Sequence, residues 1–361
     1  MAAADPLNIY DFEALARSRM DPAAYDYFAG GAGDELTIAE NCRAFQRIAL
    51  RPRVLVDVSA VDPSTQVFGR PLSFPVMLAP TALNRLGHPE GEVAAARAAG
   101  AAGTTMVLST TASSTIEEVA AESGDLWFQL YVYRDRAVTH SLVRRAEASG
   151  CRALVLTVDL PRMGRRERDL RNRFVLPEGV RFRNLETAGR HDAAAWPAGS
   201  SFMEYVHNLL DPAITWESIG WLKSITKLPI LIKGVLREDD AERAIEHGAD
   251  GLVVSNHGGR QLDGAIAPID ALPAIATRVG GRVPVLVDGG VRRGTDVLKA
   301  VALGAAAVLI GRPYLWGLAA AGDAGGRRVL DLLRGELELA MALSGCPRVA
   351  DIDASLVAHD R

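Results

Sequence analysis

The sequence has few cysteines, no long apolar run and no one-sided block of charge, and each shortage excludes a class of protein. The three cysteines, Cys42, Cys151 and Cys346, stand far apart and lack the close spacing of metal ligands. They read as small buried hydrophobes in a reducing compartment. No apolar run is long enough to span a membrane, and the start Met1-Ala2-Ala3-Ala4-Asp5-Pro6 is not a signal peptide. Lys and Arg number 40 against 44 Asp and Glu, a net charge of -4, with no run suited to a nucleic-acid arm. The last residues, His359-Asp360-Arg361, are not a peroxisomal address. The expectation is a cytoplasmic bacterial protein with no nucleic-acid or membrane partner. At 361 residues, 48% hydrophobic and 23% charged, the chain can bury a large core as one large domain or two ordinary ones.

What is present centres on Ser255-Asn256-His257-Gly258-Gly259-Arg260-Gln261-Leu262-Asp263-Gly264. It follows Gly251-Leu252-Val253-Val254, a short run that reads as a buried strand. Histidine exchanges a proton near neutral pH, and arginine clamps a carboxylate with two parallel hydrogen bonds. The glycines let the backbone bend and approach a ligand. Together these groups can remove hydrogen from a small carboxylic acid. A lone H-x-x-R also occurs in solvated strand-end turns, so the surrounding chain decides.

Residues 7 to about 50 read as helical, with Asp21-Pro22 restarting a helix that carries Tyr25, Tyr27 and Phe28. Such an aromatic cluster is more often packing than chemistry. From residue 76, strand-like runs alternate with Ala-rich helical segments. The runs are 76–80, 105–109, 127–131, 154–159, 229–233, 251–255, 284–288 and 307–311, and the helices are 90–102, 114–123, 136–150, 238–247, 273–279 and 295–303. Alternation means a parallel sheet, and eight units suit a closed (β/α)8 TIM barrel. The gap at 160–216 after the fourth strand is too long for a plain connection and reads as a lid. It opens with Pro161-Arg162-Met163-Gly164-Arg165-Arg166-Glu167-Arg168, whose charges read mostly as a solvated, self-paired surface.

A barrel gathers its strand ends at one mouth. Those ends carry Pro80-Thr81-Ala82, Ser109, Gln129 with Tyr131, Thr157 with Asp159, Lys233, Ser255 with His257 and Arg260, Asp288-Gly289-Gly290, and Gly311-Arg312. The glycines and the arginines Arg292 and Arg312 at the last two ends suggest a phosphate site. Ser109, Gln129 and Thr157 suit the edge of a flat heterocycle, although strand-end capping is their plain alternative. Lys233 would place a positive charge beside a reduced flavin, or simply form a salt bridge at the mouth.

These motifs resemble the FMN-dependent (S)-2-hydroxy acid oxidases and dehydrogenases, of the glycolate oxidase and lactate oxidase type, from about Tyr10 to Ala350. The resemblance rests on the Ser255–Asp263 stretch, Tyr25-Asp26-Tyr27-Phe28, Pro80-Thr81-Ala82, His88-Pro89-Glu90-Gly91-Glu92, Gln129-Leu130-Tyr131, Thr157-Val158-Asp159, Gly164-Arg165-Arg166 and the run Asp288 to Asp296. It implies a single domain over 1–361, with an N-terminal helical segment at 1–70, the barrel at 76–320 and a C-terminal helical segment at 321–361. It implies FMN held by Pro80, Thr81, Ala82, Ser109, Gln129, Thr157, Lys233, Ser255, Asp288, Gly289, Gly290, Arg292, Gly311 and Arg312. It makes His257 the base, oriented by Asp159. Arg260 and Arg166 bind the substrate carboxylate with help from Tyr27, and Tyr131 holds the substrate hydroxyl. The residues alone do not choose between Arg165 and Arg166, nor between a carbanion and a hydride route. The partners implied are a small 2-hydroxy acid and O2, in a homotetramer or octamer.

One departure concerns substrate size. Glycolate oxidase has a tryptophan where this chain has Thr111, so the side-chain pocket is more open, and Met163 can line the same space. Lactate, a longer aliphatic acid or an aromatic one is favoured over glycolate, although pocket volume discriminates only modestly. Ala82 favours an oxidase over a dehydrogenase that uses a quinone or cytochrome, as do the lack of an apolar membrane segment in the lid and of a haem domain before residue 1. An isomerase barrel and a phosphate-binding barrel without catalysis are the remaining rivals.

Overall fold

The computed structural model describes residues 5–188 and 208–359, so part of the lid expected at 160–216 lies outside the described residues. The chain enters through helices α1 (Ile9–Arg19), α2 (Pro22–Ala29) and α3 (Leu36–Gln46). Asn8 caps α1, and Asp21 caps α2 with Pro22 in its first turn, where a missing N–H costs nothing.

The helical segment expected over 1–70 stops at Gln46. Strands β1 (Ile48–Leu50), β2 (Thr65–Val67) and β3 (Arg70–Leu72) follow. β2 and β3 form an antiparallel hairpin whose turn, Phe68-Gly69, takes φ of 50° and 70°. Val67, Leu72 and Phe68 plug one end of the barrel.

The barrel is closed and parallel. Its strands are β4 (Val76–Leu78), β5 (Met106–Leu108), β6 (Leu126–Leu130), β7 (Leu154–Thr157), β8 (Ile230–Val235), β9 (Gly251–Val254), β10 (Val285–Asp288) and β11 (Ala307–Ile310), with β11 pairing β4 to close it. These are the eight expected strands, each within two residues. They are apolar on both faces because both faces are covered. Met77, Val107, Trp127, Val155, Leu231, Val253, Leu286 and Leu309 pack with the hairpin as one cluster, and Trp127 meets the Phe68 ring at 5.6 Å. The opposite strand faces pack against the helices as a second cluster.

Two helix expectations change. The helix expected to start at Pro273 starts at Pro268 and carries Pro273 inside it; two prolines close together obscured which one sat in the first turn. The boundary expected at 320/321 falls within one helical stretch, Arg312–Leu343, kinked at Ala321 and Gly322. The C-terminal segment ends in β12 (Val357–His359), antiparallel to β1.

The lid root is docked rather than solvated. Arg168 pairs with Asp26 at 3.3 Å and Glu35 at 2.5 Å, Asn172 donates to Asp26 at 2.8 Å, and Phe174 stacks on Tyr27 at 4.8 Å. Arg171 keeps the self-paired character expected of the lid, bonding Glu167.

Trp127→Ala should destabilise the protein by about 3–5 kcal/mol, because it empties a close-packed barrel interior. The urea unfolding midpoint measures this; an unchanged midpoint would contradict the packing described.

Candidate active site

β7 and β9 are not neighbours, since β8 lies between them. Past the strand ends, Asp159 and His257 nevertheless meet, with Nδ1 and Oδ1 2.8 Å apart. Two local features allow it. β8 changes register between Lys233 and Val235, and Gly234 has φ 112°; a Cβ there would lie 2.6 Å from the Asp159 Cβ. His257 takes the left-handed conformation at φ 60°, and its N–H donates to Ser255 Oγ at 3.0 Å. A non-glycine residue held there is strained, as functional residues often are.

Behind this pair lies a buried polar chain. Lys233 Nζ donates to Ser255 Oγ at 2.8 Å and pairs with Asp288 Oδ2 at 2.9 Å. The salt-bridge reading of Lys233 therefore holds, and the pairing fixes its charge at the mouth. Burial works to lower the lysine's pKa, but Asp288 and Asp159 outweigh it and the net direction is up. Burial works to raise the Asp159 carboxyl, yet His257 and Lys233 hold it below the ordinary value. For His257 burial prevails over Asp159 and the imidazole lies below 6.5. It is neutral at neutral pH and free to take a proton.

Across the cavity are two cationic side chains. Arg166 is 6% exposed and lines the cavity, whereas Arg165 is exposed and does not. Arg260 Nη1 donates to the carbonyls of Tyr27 at 2.7 Å and Gly30 at 2.9 Å, and its guanidinium lies 5.2 Å over the Tyr27 ring. Burial and the like charge of Arg166 push its pKa down to about 10. An entering carboxylate would relieve that repulsion. Burial, and next the Asp159 charge, raise the Tyr131 hydroxyl, keeping it a donor.

The expected phosphate arginine Arg312 is differently engaged. Its Nε donates to Phe28 O at 2.8 Å, Nη1 to Gly258 O at 2.9 Å and Nη2 to Gly30 O at 3.0 Å. With Arg260 it caps the carbonyl end of α2 and so fixes Tyr27. Arg292 Nη1 donates to Val291 O at 2.9 Å. At Gly290 a Cβ would fall 2.0 Å from Asn41 O, so only glycine brings the backbone to the cavity there.

Tyr27, Pro80, Thr81, Ala82, Ser109, Thr111, Gln129, Tyr131, Thr157, Met163, Arg166, Lys233, His257, Arg260, Asp288, Gly289, Gly290, Arg292, Gly311 and Arg312 all line one cavity; Asp159 and Ser255 bond to lining residues. Sequence reasoning missed Leu160 and Phe182, which also line it. An apolar residue in a long loop gives no periodic signal that it turns inward. Several buried polar atoms have no protein partner: Gln129 Nε2, Thr157 Oγ1, Asp288 Oδ1, Asp159 Oδ2 and Arg166 Nε. Interiors rarely leave such groups unpaired. Gln129 and Thr157, on successive strands, thus offer free polar atoms to the edge of a flat heterocycle, which fits a flavin. Among the described residues, no group of three or more His, Cys, Asp or Glu could hold a metal ion, and no helix is long and apolar enough to cross a membrane.

The model of a family described as FMN-dependent dehydrogenase matches residues 16–359. The chain belongs to this family. FMN is its cofactor. Similar proteins include an L-lactate oxidase from Nostoc sp., 52% identical with 99% of both chains covered. Another is the glycolate oxidase of Spinacia oleracea, 51% identical over 98% of this chain and 96% of that one. A solved structure of mandelate oxidase with (S)-4-hydroxymandelic acid superposes with a TM-score of 0.92 at 46% identity, covering 98% of each chain. Membership replaces the isomerase and non-catalytic readings.

An imidazole that is to accept a proton must be neutral, so with His257 in that part turnover should fall as pH drops through its depressed pKa, below 6.5. Asp159→Asn removes the main influence raising that pKa, so the acid limb of kcat/KM should move to lower pH while the plateau drops. An acid limb that stays in place would contradict the pairing.

Proposed function

We propose that the chain oxidises an (S)-2-hydroxy acid to the 2-oxo acid and passes the electrons to O2, forming H2O2. The observation that carries this reading is a depressed-pKa imidazole paired with Asp159 at 2.8 Å in the cavity that also holds two largely buried arginines. FMN supplies the two-electron acceptor. Pro80, Thr81, Ala82, Ser109, Gln129, Thr157, Lys233 and Ser255 would hold its ring system. Asp288, Gly289, Gly290, Arg292, Gly311 and Arg312 would serve its phosphate end, with Arg312 acting mainly through the backbone it ties down.

Arg166 and Arg260 bind the substrate carboxylate, aided by the Tyr27 hydroxyl. Tyr131 holds the substrate hydroxyl. His257 takes one proton as the substrate loses two electrons, and Asp159 stabilises the imidazolium that forms. These charges act among largely buried side chains, where each counts for more than at a surface.

Thr111, Met163, Leu160 and Phe182 give the substrate's side chain a mostly apolar wall. A substrate larger than glycolate suits it, whether lactate, a longer aliphatic acid or an aromatic one. The names of these similar proteins cover lactate, glycolate and mandelate, and all three are oxidases. Self-association as a homotetramer or octamer is consistent with Val54, Leu55, Leu339 and Leu343, which are 81%, 103%, 60% and 68% exposed. We place the enzyme in the cytoplasm.

His257→Gln should stay yellow yet lose anaerobic bleaching by substrate, and rapid bleaching would remove His257 from the base role. Arg166→Met should lower kcat/KM by about 10²-fold or more, mostly through KM, while Arg165→Ala stays near wild type. Equal effects would contradict the assignment. Thr111→Trp should shift preference toward glycolate in a peroxide assay.

A further inference from the structure

The two halves of the site leave strands that share no ladder, because β7 pairs with β8 and β8 with β9. Beyond the strand ends, something else must fix Asp159, Met163 and Arg166 against His257 and Arg260. The side chain of Gln261 lies at that seam. Its Nε2 donates to Asp159 O and to Arg162 O, both at 2.9 Å, and its Oε1 accepts from Gly164 N at 3.2 Å. Two acceptors and one donor converge on one side chain. Of the common side chains only an amide both donates twice and accepts. Glutamate cannot donate, and lysine or arginine cannot accept.

The seam is also tight. A Cβ on Gly164 would lie 2.4 Å from Arg260 O and 2.6 Å from Gln261 O, so the lid root runs flush along the His257 loop. A third segment closes the corner: Ala32 N donates to Gly259 O and Gly33 N to Arg165 O, both at 2.9 Å. Gln261 itself does not line the cavity.

We infer that Gln261 is a positioning residue that stitches the lid root to the base-bearing loop, setting the His257–Asp159 pair and the placement of Arg166 together. This rests on the roles proposed above. Without the stitch, the root of a long loop regains backbone freedom at the residues that carry the carboxylate partner and one arginine. Displacements of about 1 Å in such a site cost up to about 10²-fold in rate.

The test uses the FMN-loaded full-length enzyme with Gln261→Glu and Gln261→Met. Each variant should lose about 10- to 10²-fold in kcat/KM, with KM raised. Oxalate, a carboxylate probe that needs no proton transfer, should bind at least about tenfold more weakly by visible titration. The acid limb of kcat/KM should move in the direction given by Asp159→Asn. Wild-type KM, oxalate affinity and pH profile would overturn the inference. So would a loss of stability or FMN alone with those three unchanged. Hydrogen exchange on the wild type gives a readout that needs no variant: the Gly164 amide should be protected, and exchange as fast as at exposed lid residues would overturn the stitch. Should no 2-hydroxy acid bleach the wild type, the proposed function fails; should the wild type bleach and the variants match it, only this inference fails.

Discussion

An imidazole and a carboxylate, each unfavourable to take out of water alone, are held 2.8 Å apart at the barrel mouth. Much else in the structure serves that pairing. The register shift in β8 and the bare Cα of Gly234 make room for Asp159. The left-handed turn at His257 swings the imidazole back over the rim. The salt bridge between Lys233 and Asp288, tied to Ser255, supplies a fixed charge behind it. The balance leaves His257 neutral and Asp159 ionised, the states from which a proton can be taken and then stabilised.

The remainder of the site is organised but incomplete in itself. Arg260 and Arg312 anchor the carbonyl end of α2 and so carry Tyr27 to the mouth. Arg166 and Arg260 keep like charges in a confined space with repulsion that an anionic carboxylate would relieve. Gln129, Thr157 and Asp288 keep polar atoms unpaired at the cavity wall. Polar networks of this kind are unfavourable until every member is satisfied, and a bound cofactor and substrate would supply the missing partners.

The barrel was legible because its strands are short runs buried on both faces, separated by Ala-rich amphipathic segments. The rim was legible because its polar residues terminate those runs. What the sequence hid depends on contacts between distant segments. The β2–β3 plug looked like a continuation of helices, since its apolar residues pack inside a barrel formed later in the chain. Arg165 and Arg166 are adjacent, and only the docking of the lid root on α2 turns one inward and the other out. Phe182 lacked any local pattern, lining the cavity from an irregular loop, and Gln261 stood inside the central motif with nothing local to show that its bonds reach backbone groups a hundred residues away. Arg312 lies where a phosphate arginine was expected, but its guanidinium is engaged by carbonyls that no motif encodes.

The most direct measurement is an anaerobic visible spectrum of the purified enzyme with glycolate, lactate and mandelate in turn, followed by air. The protein should be yellow, bleach with a 2-hydroxy acid larger than glycolate and recolour rapidly as peroxide forms. Slow recolouring would contradict the oxidase and leave a dehydrogenase. A protein that holds FMN and bleaches with no 2-hydroxy acid would contradict the roles given to His257, Asp159 and the two arginines.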